Sequence, residues 1–150
     1  MPKTFRKKNN KNTTRSQKSS LLKNFQKDIT VKFLEILLMV KLFHWKTTSF
    51  ATHKATDELY ASLNDNIDKF IEVLLGKSGS RTDLLDYKNI ALVDLNSQEQ
   101  LKGKIESIKG YLIDLNSNKA LNSISNTDLF NIRDEILGDL NKFLYLLTFK

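Results

Sequence analysis

The sequence predicts an all-α protein, a four-helix bundle with a long crossover between its second and third helices. Three observations predict this fold. Apolar residues recur every three or four positions in four segments, no useful length of chain alternates polar and apolar residues, and the single proline is at position 2. A chain of 150 residues suits one such domain and is too short for two.

The first two helices are predicted over residues 20–46 and 50–76, with Gly76 as the stop of the second. At about 1.5 Å per residue, each is roughly 40 Å long, the scale of a bundle. Their predicted core stripes are Leu22, Phe25, Ile29, Phe33, Ile36, Val40 and Phe43 in the first helix and Leu59, Leu63, Ile67, Phe70 and Leu74 in the second.

Residues 77–96 break the periodicity and form the predicted crossover, with a short helix around Leu84 to Tyr87. The third helix begins at the capping-box-like segment 97–100, and the fourth runs from about Thr127 to Thr148. Their predicted core residues are Leu101, Ile105, Ile108, Leu112 and Leu115, then Leu129, Ile132, Ile136, Leu140, Phe143 and Leu147.

The positive charge is concentrated at the start of the chain. Residues 1–20 contain no acidic residue, and seven of the 24 basic residues fall there, which leaves 17 basic against 17 acidic side chains elsewhere. We therefore predict a disordered basic arm over residues 1–19, attached to a bundle over 20–150, with DNA as the natural partner. The DNA-binding candidates are Lys3, Arg6, Lys7, Lys8, Lys11, Arg15 and Lys18.

Other interpretations of the basic arm are a solubility tail, an organellar transit peptide or a nuclear localisation signal. The arm lacks an apolar stripe, which argues against a transit peptide. The longest apolar region, residues 29–45, is interrupted by charged side chains, so we expect a soluble protein without a membrane partner. With no cysteine, any metal must be held by imidazole and carboxylate groups, which favours iron, zinc or manganese.

Both histidines, His44 and His53, lie around the turn between the first two helices. Asp57, Asp68 and Glu72 follow His53 at angles of roughly 40°, 60° and 100° around the second helix, so all four share one face. Asp57 and Asp68 are about 16 Å apart along the helix, whereas the ions of a two-metal site are about 4 Å apart. One subunit cannot close this site, but two antiparallel copies of the helix across a two-fold axis would complete two sites.

The segment 43–46 and the residues Phe50, His53, Asp57, Asp68 and Glu72 resemble the ferroxidase signature of the Dps proteins, the mini-ferritins. Segment 139–145 resembles the closing helix of that family. The resemblance implies a ferritin-like four-helix bundle that assembles as a dodecamer of two-fold dimers. It also implies that His44, His53 and Asp57 of one subunit bind and oxidise iron with Asp68 and Glu72 of its mate.

The resemblance further implies oxidation by hydrogen peroxide or oxygen at a mono-iron or di-iron site, with zinc as a competitor, and storage of the product in a hollow shell. Two features depart from the family pattern. The interval between His44 and His53 is short and lacks a glycine, and Lys46 replaces a small polar residue, which we expect to bring a cation near the metals.

Two other functions compete with the ferroxidase. One is a non-enzymatic nucleoid or virion protein that keeps the bundle as a DNA-packing scaffold. The other is a small helical dimer whose arm binds RNA or an anionic membrane, although the body has no RNA-stacking motif. A single-bundle di-iron centre is excluded because the sequence has no Glu-x-x-His motif. The expected location is intracellular, in the cytoplasm or nucleoid, or in a virion.

Overall fold

A computed structural model describes residues 9–150 of the chain, and the side chains of residues 15–150. Four long helices, one short α-helical turn and one 3-10 turn (Leu115–Ser117) account for its regular structure, and no strand occurs among the described residues. The helices are α1 (Asn9–Lys46), α2 (Phe50–Ser78), α3 (Gln98–Asp114), the one-turn α4 (Lys119–Asn122) and α5 (Thr127–Leu146).

Helix α1 begins at Asn9, well before the predicted start near residue 20. Residues 9–19, which were assigned to a disordered arm, are therefore helical. Segment 9–20 contains neither glycine nor proline, so nothing in it terminates the helix that continues from the core. It also has no apolar residue, so periodicity could not reveal the helix. The side chains of residues 15–20 are exposed.

The ends of α2 and α3 are fixed by local hydrogen bonds. Ser49 caps the start of α2 by accepting the N–H of Thr52. The predicted stop at Gly76 is wrong, because α2 continues to Ser78 and ends at Gly79, which adopts a left-handed φ of 67°. The predicted start of α3 is confirmed, since Ser97 accepts the N–H of Gln100 at 3.2 Å.

Neighbouring helices run antiparallel in the order α1, α2, α5, α3. Gln26 of α1 hydrogen-bonds Ser78 at the end of α2, and Asn66 of α2 donates to Asp139 of α5 at 2.8 Å. Gln98 at the start of α3 donates to the carbonyl of Leu147, just beyond the end of α5. Helix α3 therefore starts at the end of the bundle where α2 also starts.

The crossover between α2 and α3 runs back along α1. Its Asp86 lies 3.9 Å from Lys27, and its Asp94 lies 2.6 Å from Lys46, two lysines about 28 Å apart along α1. The crossover thus spans most of the bundle. The short helix predicted near Leu84 is wrong, because only one turn forms there, closed by the N–H of Tyr87 on the carbonyl of Leu84.

The predicted core stripes are confirmed, with Leu22 only partly buried. Phe33 and Phe70 meet edge to face at 5.3 Å in the centre of the α1–α2 contact. Arg133 of α5 is also buried, and its guanidinium donates to the carbonyl of Leu112 and the side chain of Asn116. This gives a second partner to a carbonyl at the end of α3 that also accepts the N–H of Leu115. Among residues 9–150, no helix has both the length and the apolar composition needed to cross a bilayer.

Gly76 and Gly79 should respond oppositely to alanine. Gly79→Ala forces a Cβ into a left-handed conformation and should destabilise the protein by about 1 to 2 kcal/mol. Gly76 is helical, and an added Cβ would contact nothing within 4 Å, so Gly76→Ala should stabilise by about 0.5 to 1 kcal/mol. Urea denaturation followed by circular dichroism measures both, and effects of equal sign would contradict the assigned helix end.

Candidate functional site

The turn between α1 and α2 brings the two histidines face to face. His44 is in the last turn of α1 and His53 is in the first turn of α2, with residues 47–49 between the helices. Their imidazole rings stack with centroids 3.9 Å apart and an interplanar angle of 21°. His44 is 8% exposed, whereas His53 is partly open to solvent.

Each histidine of the pair is bonded to the backbone of the other. The Nδ1 atom of His44 lies 2.9 Å from the carbonyl oxygen of His53, and the Nδ1 atom of His53 lies 3.0 Å from that of His44. A carbonyl oxygen can only accept, so both Nδ1 atoms must carry hydrogen. In the neutral rings, both Nε2 atoms therefore keep the lone pair that a metal ligand needs.

Asp57 joins the histidine pair one turn farther along α2. Its Oδ1 atom is 3.9 Å from the Nε2 atom of His44, and its side chain is 61% exposed. The free nitrogen of His44 is therefore directed toward a solvent-accessible carboxylate. The structure brings three of the five predicted ligands, His44, His53 and Asp57, to one end of the bundle.

Asp68 and Glu72 lie elsewhere on α2. They are exposed and lie about 16 and 22 Å beyond Asp57 along the helix. Within the described part of the chain, no group of three or more His, Asp or Glu side chains could hold a metal ion. One chain therefore presents two separated partial sets of donors, one at each end of the same helical face.

The ammonium group of Lys46, two residues after His44, contacts the crossover. Its ammonium group is 2.6 Å from Oδ1 of Asp94 and 3.3 Å from Oδ1 of Asn96, both at the end of the crossover. The expected cation beside the histidine pair is therefore held by the crossover. Its pairing partner depends on how the crossover folds back along α1, which the local sequence around Lys46 does not specify.

An exposed apolar stripe runs along α1 beside this face of α2. Leu34, Leu38 and Trp45 are exposed, Trp45 to 70%, and they project from one side of α1. Lys41 lies on the same side, and its ammonium group sits 4.4 Å from the ring centroid of Tyr60 on α2. We call the surface formed by Leu34, Leu38, Trp45, Tyr60, Asp57 and Asp68 the α1–α2 face.

Sequence reasoning missed two parts of this site. The stripe of Leu34, Leu38 and Trp45 follows helical spacing outside the core stripe and could have been found from periodicity. Thr56 is fully buried, and its hydroxyl oxygen lies 3.1 Å from Nδ1 of His44. Nothing in the sequence distinguishes this threonine from any other helical threonine.

Comparison with protein families gives one match over most of the chain. Residues 44–147 match the model of a family of unknown function, DUF5856. The chain belongs to this family. No curated protein and no solved structure matched it.

The DUF5856 match includes all five candidate ligands and begins at His44. The basic segment precedes it. Of the seven DNA-binding candidates, Lys3, Arg6, Lys7 and Lys8 lie outside the described residues, and Lys11 lies in α1 but outside the described side chains. Arg15 and Lys18 are exposed on α1.

Proposed function

We propose that this DUF5856 protein binds ferrous iron as its substrate at sites shared by two copies, oxidises it and stores the product. The observation that supports this most directly is the histidine pair. Two backbone carbonyls hold both imidazoles with Nε2 free, and the Nε2 of His44 is 3.9 Å from a carboxylate oxygen of Asp57. Histidines that ligate metals are oriented in this way by a hydrogen bond to their other nitrogen.

The donor set suits iron. Imidazole nitrogens and carboxylate oxygens bind Fe(II), and the absence of cysteine from the sequence removes the thiolate ligands that favour softer metals. Zinc prefers the same nitrogen and oxygen donors and would compete for the site. In the proposed reaction, two Fe(II) ions each give one electron to hydrogen peroxide, which takes up two protons and becomes two water molecules. Oxygen is the alternative acceptor.

A second copy would supply the remaining donors. If two copies of α2 lie antiparallel across a two-fold axis, Asp68 and Glu72 of the second copy face His44, His53 and Asp57 of the first. The α1–α2 face supports this pairing, because Leu34, Leu38 and Trp45 expose apolar surface beside the donors. Burying that surface between two copies would favour association by the hydrophobic effect.

The topology supports a ferritin-like bundle, and we propose that dimers of this bundle assemble as a dodecamer. Ferritin-like folds join two antiparallel helix pairs by one long crossover. Here the connection between α2 and α3 runs along α1, and α2 packs on both α1 and α5. In the proposed assembly, the ferric product mineralises inside a closed shell.

We further propose that the basic segment 1–19 holds DNA without reading its sequence. Its helical part extends α1 beyond the core, with Arg15 and Lys18 exposed. Lysine and arginine side chains neutralise phosphates and release counterions, which requires no base contact. Repeated around an assembled particle, such segments would bind DNA at many points.

Iron oxidation tests the first proposal. The full-length protein should bind Fe(II) without oxygen and oxidise it when peroxide is added, followed by ultraviolet absorbance. The His53→Ala, Asp57→Ala double variant should oxidise at least about tenfold more slowly, because it lacks two ligands. The control is Glu99→Ala, Glu106→Ala, which removes two exposed carboxylates from α3. Equal rates in all three proteins would exclude this site and favour the non-enzymatic DNA-packing alternative.

Particle mass tests the shared site. The wild-type protein should form dimers or larger particles, with a sixfold difference in mass between a dimer and the proposed dodecamer. Leu34→Glu, Leu38→Glu places two charges in the α1–α2 face and should shift the mass toward the monomer, measured by multi-angle light scattering. The control Leu85→Glu, Leu92→Glu alters two exposed leucines of the crossover and should leave the mass unchanged. A monomeric wild-type protein would contradict the shared site.

DNA retention tests the role of the basic segment. Replacing its seven lysines and arginines by glutamine should weaken binding and flatten the salt dependence by about 0.9 in slope per lost phosphate contact. Fluorescence anisotropy with duplexes of two unrelated sequences, over a series of salt concentrations, measures both effects. The matched variant replaces an equal number of exposed bundle lysines. If that variant loses as much affinity, the basic segment is not the DNA-binding element.

A further inference from the structure

The contacts between α1 and α2 relate the heights of the two helices along the bundle. The ammonium group of Lys41 lies 4.4 Å from the ring centroid of Tyr60, and the ring centroids of Phe33 and Phe70 are 5.3 Å apart. The helices run antiparallel and each rises about 1.5 Å per residue. A point between residues 39 and 40 of α1 is therefore level with a point near residue 62 of α2, to within about 2 Å.

The candidate donors of α2 are arranged symmetrically about that height. Asp57 and Asp68 lie at equal distances on either side of the midpoint between residues 62 and 63. His53 and Glu72 are symmetric about the same point. If two antiparallel copies of α2 complete both donor sets, their two-fold axis therefore passes through this point. This register follows from the donors alone.

The exposed side of α1 is symmetric about the same height, although it contains none of the donors. Leu34 and Trp45 lie at equal distances from the midpoint between residues 39 and 40. Leu38 and Lys41 are symmetric about that midpoint as well. All four residues lie within about 60° of one another around the helix. The α1 stripe thus specifies the same axis as the donors, and it does so with different residues.

We propose that one two-fold axis serves both helices, so that Trp45 of each copy packs on Leu34 of the other beside a shared donor set. An axis that runs across both helices places α1 on α1 and α2 on α2, each pair antiparallel. Leu34 of the second copy is then level with Trp45 of the first, which directly follows His44. This inference rests on the proposed function for the donors and adds the residues that cover them.

Lys41 shows how a charged residue fits into this stripe. Its ammonium group lies over the ring of Tyr60, which directs the charge sideways toward α2. Its aliphatic stem remains on the stripe and, in the proposed register, faces Leu38 of the second copy. The stripe therefore presents apolar carbon along its length, with a contact between Leu34 and Trp45 at each end. Apolar cover of this kind limits the access of water to a metal site.

The alternative is that α1 takes no part in the pairing of α2 and that its stripe packs elsewhere in the assembly. The two accounts differ in which residues of α1 approach their own counterparts across the axis. With a common axis, Leu38 lies about 5 Å from the second Leu38 along the helix direction. Leu34 lies about 16 Å from the second Leu34.

Single-cysteine variants of the full-length protein distinguish these accounts, because the sequence contains no cysteine. A bis-maleimide with a reach of about 10 Å, the spacing of packed helix axes, should link Leu38→Cys to itself. Lys41→Cys is equally close to the axis and keeps every apolar residue of the stripe. Asn64→Cys, at an exposed position of α2, tests the register of the donors. Leu34→Cys is the matched control, because the linker cannot span about 16 Å.

The three variants near the axis should each form at least about tenfold more covalent dimer than Leu34→Cys, measured by denaturing electrophoresis. The double variant Leu34→Cys, Trp45→Cys should also link between copies, although Leu34→Cys and Trp45→Cys alone should not. Each reaction is run with and without Co(II), a probe for divalent iron, so that a dimer that requires metal is also detected. Circular dichroism verifies that each variant is folded.

The outcomes separate the common axis from the proposed iron site. Linking of Asn64→Cys without Leu38→Cys and Lys41→Cys would overturn the common axis and leave the shared donor site in place. Linking of Leu34→Cys to itself, or no linking of the double variant, would overturn the contact between Leu34 and Trp45. The expected pattern, with no Co(II) binding by the wild-type protein in calorimetry, would support the common axis and contradict the iron site. No linking of any variant in either condition would exclude both.

Discussion

The arrangement at the candidate site depends on the exchange of two hydrogen bonds between His44 and His53. Each ring donates to the backbone of the other, so the end of α1 and the start of α2 fix one another. The donated hydrogens also decide the chemistry, because they leave each ring with its lone pair on Nε2. The turn of only three residues, 47–49, brings the two histidines close enough to exchange these hydrogen bonds. The same pair of contacts therefore joins the two helices and fixes which nitrogen of each neutral ring is free.

The helices could be predicted from the sequence where burial leaves a periodic signal. Every residue of the α3 and α5 stripes is buried, because packing these apolar stripes against other helices removes them from water. The ends of the helices were harder to predict from the sequence. Gly76 and Gly79 are close neighbours with the same intrinsic freedom, and the backbone hydrogen bond from Gly79 to Leu75 determines which of them ends α2.

Only those features of the site that follow from the geometry of a single helix could be predicted from the sequence. Counting residues places His53, Asp57 and Asp68 on one face, but it cannot show that the rings of His44 and His53 stack, since that depends on the turn. The ion pair of Lys46 could not be predicted for the same reason. Its partner Asp94 lies beside it only because the crossover folds back along α1. In the proposed pairing, Asp68 and Glu72 act with residues of a second molecule, so their surroundings there do not follow from one chain.

The length of α1 has an electrostatic consequence. The segment of α1 from Asn9 to Ser20 is roughly 18 Å long, about twice the screening length of roughly 8 Å at physiological ionic strength. The start of α1 is therefore screened from the charges of the bundle, which balance to zero when the first twenty residues are excluded. A polyanion that approaches the start of this helix therefore meets a positive potential set by the first twenty residues, because the rest of the chain carries no net formal charge.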